Sequence, residues 1–389
     1  CIGCGACVAA CPEGDVLGMV GGQAVIVNGS RCIGIAACEP ACPVGAVRVG
    51  LGDVHGREDL PVLDEHRQSS VPGLFVVGEL GGLSLVRNAI EQGRETVEHV
   101  ARRLAESGPP EGRHDLVIVG AGPSGLAAAL AATEARLDYV VLEQAESLGG
   151  TISHYPRRKL VQTQPARIPL WGELAAGEHT KEELLELFTD LHRRYRLRID
   201  FDRRVTGVVR EKEGFRVDTG GGSYAARYVM LALGRRGTPR RLGVPGEELS
   251  KVAYQVRDAE QYRHRRILCV GGGDSAVEAA LGLGSQPGNE VTLSYRRDRF
   301  GRIKRKNEER LELAVAEGRV RLLVPSNVRE IRPDTVALDH AGNPTILPND
   351  DVFILVGGLP PFAMLREMGI RFGDEMAAAD DEARSERSI

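Results

Sequence analysis

The chain has 389 residues, enough for two or three domains, with the 42% hydrophobic and 27% charged content of a globular protein. A formal net charge of -4 argues against a nucleic-acid footprint, and no apolar run reaches the length of a membrane span. Seven of the eight cysteines fall within the first 42 residues, which points to metal or redox chemistry rather than disulfide staples and favours a cytoplasmic setting. The first residue is Cys1 and no signal peptide opens the chain, so it is expected to be a fragment or a processed form, with any upstream anchor out of view.

Residues 1–12 follow the pattern Cys1-x2-Cys4-x2-Cys7-x3-Cys11-Pro12. At this spacing three thiolates wrap one iron–sulfur cluster and the fourth reaches a second. The pattern returns after 31 residues: Cys1 maps to Cys32, Cys7 to Cys38, Cys11 to Cys42 and Pro12 to Pro43, while the slot of Cys4 holds Ile35. Crossed ligation groups Cys1, Cys4, Cys7 and Cys42 in one site and Cys32, Cys38 and Cys11 in the other. A disulfide knot and a zinc site are the competing uses, although the contiguous run is not the paired spacing of a zinc ribbon. The segment resembles the two-cluster bacterial ferredoxins. That resemblance implies a [4Fe-4S] cluster at the first site and a [3Fe-4S] cluster at the second; a decayed, empty second site is the alternative. Between the runs, "GQAVIVNGS" alternates apolar residues and closes on Asn28-Gly29, a turn signal, so a small β-hairpin is expected.

"VPGLFVVGELGGLSLVRNAIEQG" (71–93) predicts a strand over Val71–Val77, then Gly78-Glu79, then a helix from Leu85. A linker rich in turn residues spans 106–114. A strand over Leu116–Val119 follows, with Gly120, Gly122 and Gly125 in the G-x-G-x-x-G order and Pro123 and Ser124 between them, opening an Ala/Leu-rich helix. Such a turn lets backbone approach a pyrophosphate at a helix N-terminus. A second strand ends in Glu143, about 20 residues on, where a carboxylate binds a ribose. Thr180 and Glu183 form a capping box before a helix whose apolar face carries Leu184, Leu187, Phe188 and Leu191.

The strand–glycine–helix unit repeats at Gly271, Gly273, Asp274 and Ser275, with Ala276 in place of the third glycine. The next strand, Val291–Ser294, is followed by Arg296 and Arg297 where an acid would select NAD. Arginines there suit the 2′-phosphate of NADPH, so NADPH is expected over NADH; a solvated basic turn is the bland alternative.

Together with Gly149-Gly150, these units resemble the two-dinucleotide-domain flavoproteins of the thioredoxin reductase type. The resemblance implies FAD along Gly120–Gly125, Glu143 and Gly149-Gly150, and a basic NADPH motif at Arg296 and Arg297, with Tyr295 in place of the family's His and the downstream Arg shifted to Arg302. It also implies a closing "VPG-x-F-x-x-G-D" piece after the nicotinamide domain. Here that piece is the stretch at 71–93, with Gly78-Glu79 for Gly-Asp, so the order is permuted. In the family the acid bonds the flavin's ribityl chain. The competing reading makes residues 60–104 the end of a separate upstream flavoprotein.

The expected fold is α/β: two Rossmann-like three-layer domains plus a small α+β ferredoxin-like domain. Expected boundaries are 1–52 for the iron–sulfur domain, 53–105 for the permuted closing segment, 113–242 for the FAD domain, 243–360 for the NAD(P) domain and 361–389 for a C-terminal tail, frayed over its acidic end. The expected activity passes electrons between NADPH, FAD and the clusters to an external acceptor or donor protein or a small disulfide, in either direction, as in ferredoxin–NADP reductases. Alternatives are a disulfide reductase without its own Cys-x-x-Cys, a flavin monooxygenase-like enzyme, and a non-enzymatic redox sensor or carrier. Cys269, the only cysteine outside the first 42 residues, is expected to be a buried structural thiol. No acid or base is assigned; His154 and Tyr155 are expected to serve the loop. The resemblance implies a homodimer.

Overall fold

The computed structural model describes all residues except 33, 51–56, 83–84, 109–111, 236, 302 and 376–389. It divides into two compact units: Cys1–Val49, His154–Arg157 and Thr238–Leu359 form the first, and Gly50–Ser153, Arg158–Gly237 and Pro360–Ile389 the second.

The first cysteine run winds through a short helix α1 (Ala6–Ala9), entered from Gly5 at φ 72. A hairpin follows, strands β1 (Leu17–Val20) and β2 (Gln23–Ile26), and the second cysteine run carries helix α2 (Cys38–Ala41). The hairpin turns on Gly21-Gly22, both at positive φ (58 and 77). A two-residue hairpin turn of type I′ needs positive φ at both centres, which two glycines supply freely. Asn28-Gly29, which closes the stretch, opens a 3-10 turn over Gly29–Arg31 that delivers Cys32.

In the second unit, strand β3 (Leu74–Val76) is fully buried and lies parallel to Val229–Leu231 of the strand Gly222–Leu231. After it come helix α3 (Val86–Ser107), strand β4 (His114–Val119), helix α4 (Pro123–Glu134) and strand β5 (Tyr139–Leu142). The apolar runs of β4 and β5 are buried on both faces, as a parallel sheet requires. A capping box starts helix α5 (Lys181–Tyr195): Glu183 N donates to Thr180 Oγ1 at 3.2 Å, and Thr180 N donates to Glu183 Oε2 at 2.7 Å. Leu184, Phe188 and Leu191 of α5 are buried. The seven-stranded sheet runs Ile199–Asp200, β5, β4, Gly222–Leu231, Gly214–Thr219, Val205–Glu211, with β3 on the far half of Gly222–Leu231.

The first unit resumes with a five-stranded parallel sheet in the order Val252–Ala253, Asp351–Ile354, Arg266–Val270, Glu290–Ser294, Val320–Leu323. Helices α6 (Asp274–Gly284) and α7 (Arg305–Ala316) connect its central strands. An antiparallel three-stranded sheet (Ser326–Ile331, Thr335–His340, Asn343–Pro348) precedes the last strand.

Helix α8 (Phe362–Glu367) belongs to the second unit. Leu365, Ile370 and Phe372 are at most 1% exposed and join the apolar cluster of β3, β4 and β5. Ser70 Oγ donates to Gly369 O at 3.0 Å, and Phe372 bridges Pro61. Residues 362–372 are thus core rather than tail, because three large apolar side chains find a buried seat there. The acidic end expected to fray lies largely in 376–389, outside the described residues.

Candidate functional site

Three groups of predicted residues sit on structurally suited elements. In the second unit, β4 ends at Gly120 and Gly122 is the N-cap of α4, with Pro123 in the first turn. A Cβ on Gly125 would stand 1.8 Å from Gly120 O, so strand and helix meet at van der Waals limit. Gly149-Gly150 folds back onto this turn: Gly149 N donates to Ala121 O at 2.9 Å, and a Cβ on Gly150, itself at φ 53, would stand 2.9 Å from Gly122 Cα. Glu143 is 5% exposed; Ala121 N and Ala145 N donate to its carboxylate at 2.6 and 2.9 Å. The two glycine motifs and the acid therefore converge on one turn.

Gly78 of the early segment arrives at the same helix. It has φ 76, its N–H donates to Gln92 Oε1 at 2.8 Å, and a Cβ there would stand 3.1 Å from Ser124 Oγ. Ser124 is 5% exposed and its hydroxyl is buried without a hydrogen-bond partner among the described residues. A buried hydroxyl left unpaired beside a helix N-terminus is what a bound dinucleotide would satisfy. Glu79 follows Gly78, half-buried, in the turn Gly78–Gly81. The sequence did not single out Gln92; its one signal is a polar residue in the apolar stripe of α3.

In the first unit, Gly273 caps α6 and a Cβ on it would meet nothing within 4 Å, which leaves room at the helix N-terminus. Ala276, fully buried, packs where a third glycine would stand. Ser275 is exposed. Asp274 is turned to structure: Lys304 N and Asn307 Nδ2 donate to its Oδ1 at 3.0 and 2.6 Å. Arg296 and Arg297 are exposed just past the strand Glu290–Ser294 and have no ion pair among the described residues. The Tyr295 ring stacks on Phe300 (centroids 5.1 Å apart) and covers Gly272, whose Cβ would stand 2.0 Å from it. Arg302 lies outside the described residues.

The cysteines behave in two ways. Cys7 is buried, Cys1, Cys4 and Cys32 are exposed, and Cys11, Cys38 and Cys42 are intermediate. Ala46 N donates to Cys42 Sγ at 3.2 Å, and the backbone N–H groups of Val44, Ala46, Val47 and Gly45 hold this thiol below its usual range. A sulfur already ringed by N–H donors suits a cluster ligand. Burial pushes the Cys38 thiol up, and negative charge on the neighbouring Cys32 and Cys11 adds to it. Among the described residues no three His, Cys, Asp or Glu side chains converge tightly enough to chelate one ion. Ligands of a multi-iron cluster each take their own iron and stand wider apart. Cys269 is wholly buried and its thiol is pushed up to about 12 by desolvation.

These parts define an oxidoreductase that uses flavin and pyridine nucleotide, with an iron–sulfur module attached. The chain belongs to the pyridine nucleotide-disulphide oxidoreductase family, whose profile matches residues 117–387, and residues 1–46 match the 4Fe-4S dicluster domain. It is 30% identical to a ferredoxin–NADP reductase of Ignicoccus hospitalis over 70% of this chain and 86% of that protein. A thioredoxin reductase of Listeria monocytogenes is 29% identical over 70% of this chain and 82% of its own length. Among solved structures, the bacillithiol disulfide reductase of Staphylococcus aureus superposes with a TM-score of 0.61 at 25% identity, over 67% of this chain and 81% of that one. No helix among the described residues is long and apolar enough to cross a membrane.

Proposed function

We propose that this chain exchanges electrons between NADP(H) and an external one-electron carrier through FAD and its own iron–sulfur centres, as a ferredoxin–NADP reductase-like enzyme. The observation that carries the reading is one chain holding both a converged flavin-type glycine constellation and a thiolate-cradled ferredoxin-like module. FAD, when bound, accepts a hydride equivalent and releases electrons singly.

The chain's residues would act as follows. Gly120, Gly122, Pro123, Ser124 and Gly125 present backbone N–H groups and one hydroxyl to the pyrophosphate, Glu143 takes the ribose, Gly149-Gly150 lines the dinucleotide, and Gly78-Glu79 meets the ribityl chain. The segment 53–105 serves as the closing piece of this half, a reading supported by the parallel pairing of β3 and the seat of Gly78 at Ser124. Gly271, Gly273 and Ser275 receive the second dinucleotide, Asp274 shapes its loop, and Arg296 with Arg297 engages a 2′-phosphate. Cys1, Cys4, Cys7 and Cys42 hold a [4Fe-4S] cluster; Cys11, Cys32 and Cys38 hold a three-iron one. A dithiol mechanism within the chain is disfavoured, since Cys269 is buried as a neutral thiol and every other cysteine lies in the cluster module.

The test is an anaerobic titration with NADPH, following flavin absorbance and cluster EPR signals together. Flavin bleaching followed by cluster reduction supports the path. Bleaching with silent clusters favours a small-disulfide reductase, and a protein that retains no flavin overturns both.

A further inference from the structure

The cluster module does not hang from its chain; it is seated on the first unit's α7. Glu13, two residues past Cys11, is 7% exposed, and its Oε2 accepts the N–H of Arg305, the first residue of α7, at 3.0 Å. Arg31, one residue before Cys32, has only 16% of its side chain exposed. Its guanidinium bridges Asp15 at 3.1 Å and Glu308 in the first turn of α7. Gly14 lies against Arg305, with 3.0 Å from a would-be Cβ to Nη1. Lys304, the N-cap of α7, offers no side-chain cap, so the carboxylate of Glu13 takes that role from a segment 292 residues away.

The same helix start is also held by the nucleotide turn. Asp274, directly after Gly273, accepts from Lys304 N and from Asn307 Nδ2, and Asn307 is 4% exposed and also bonds Glu278 at 3.2 Å. Lys304 and Arg305, a few residues after Arg296 and Arg297, are therefore held by both the dinucleotide turn and the cluster module. Both clamping residues of the module flank cysteines of the three-cysteine site.

We infer that Glu13 and Arg31 are positioning residues for NADP(H): the cluster module braces the start of α7, sets the loop that meets the 2′-phosphate, and thereby links nucleotide affinity to the integrity of the second cluster site. This rests on the proposed nucleotide reading of Gly271–Ser275 and Arg296-Arg297. Linkage is reciprocal, so bound NADP(H) must steady the module by as much as the module favours NADP(H).

The experiment uses the full-length protein with flavin and clusters loaded, in the parent chain and in Glu13→Ala, Arg31→Met and Glu308→Gln. NADP+ and NAD+ dissociation constants are measured by calorimetry, and iron loss to a ferrous chelator is timed with and without NADP+. Glu308→Gln breaks the same contact from the nicotinamide side and leaves the cluster loops untouched. The expected result is NADP+ binding roughly fivefold or more weaker in each variant, with NAD+ binding little changed. In the parent chain NADP+ slows iron loss, and in Glu13→Ala that protection disappears. If the parent chain binds no NADP+, the nucleotide reading itself fails. If it binds NADP+ and all three variants bind equally well, or if NADP+ leaves iron loss untouched, the brace is overturned.

Discussion

Gly93 decides whether the early segment belongs to the flavin half. It lies inside α3, where alanine is normally better than glycine by about 1 kcal/mol. A methyl group added here would stand 2.1 Å from Ser124 O, 3.0 Å from Ser124 C and 3.2 Å from Ala128 N, all backbone of α4. Neither helix backbone can swing aside as a flexible side chain would, so the contact must open by about an ångström. Overpacking of this kind costs about 1–3 kcal/mol, and backbone against backbone belongs at the upper end. Subtracting the propensity gain leaves Gly93→Ala destabilised by about 2 kcal/mol. The displaced residue, Ser124, is also the one proposed to meet the pyrophosphate, so flavin retention is expected to fall with stability. Gly282→Ala is the internal control: its Cβ would meet only Ala259 Cβ at an ordinary 3.6 Å, so it should gain up to about 1 kcal/mol. Urea unfolding followed by flavin fluorescence, with FAD-to-protein ratios of the purified variants, reads both signs. A Gly93→Ala protein as stable as the parent and fully loaded would refute the packing of α3 on α4, and with it the closing role proposed for residues 53–105.

Arg296→Ser with Arg297→Ser should raise the NADPH KM at least tenfold and leave NADH use nearly unchanged, because the lost contacts address only the 2′-phosphate; equal losses for both nucleotides would make the pair a solvated turn. Ile35→Cys restores the missing thiolate, so the EPR spectrum of the second site should shift from a three-iron to a four-iron signal, and an unchanged spectrum would mean the site is not built as proposed. Asp350 pairs with Arg266 at 2.6 Å, and this hydrogen-bonded cation, together with the Arg266 N–H, holds its carboxyl well below the usual carboxylate range. The folded pKa is depressed, so the stabilisation is present above the ordinary value of 3.8 and fades as pH falls through the lower folded one. Asp350→Asn should therefore melt lower than the parent at pH 7, with the gap closing in acid below 3.8; a gap that persists there would mean the residue acts through packing.

Local backbone demands were legible in the sequence, because they are written within a few residues. The turn at Gly120–Gly125, the acid ending β5, the capping box at Thr180 and the second glycine turn at Gly271 each follow from short-range sterics or hydrogen bonding, and all appear where spacing placed them. The hairpin was foreseen, but which glycines turn it was not: only the pairing of Leu17–Val20 with Gln23–Ile26 puts Gly21-Gly22 at the turn.

Long-range docking was not legible. Nothing in periodicity announces that Gln92 will hold Gly78, that Phe372 will fill a core begun by β3, or that Glu13 will cap a helix starting at Arg305. Nor does the glycine turn announce that Asp274, expected at the nucleotide, will accept from Lys304 N and Asn307 Nδ2 at the start of another helix. Sequence alone determined which cofactor-type turns and thiolates this protein carries, since each is encoded by contiguous residues. Tertiary structure alone decided which segments complete them, because partners hundreds of residues apart are selected by shape and charge across a folded interface rather than by any local preference.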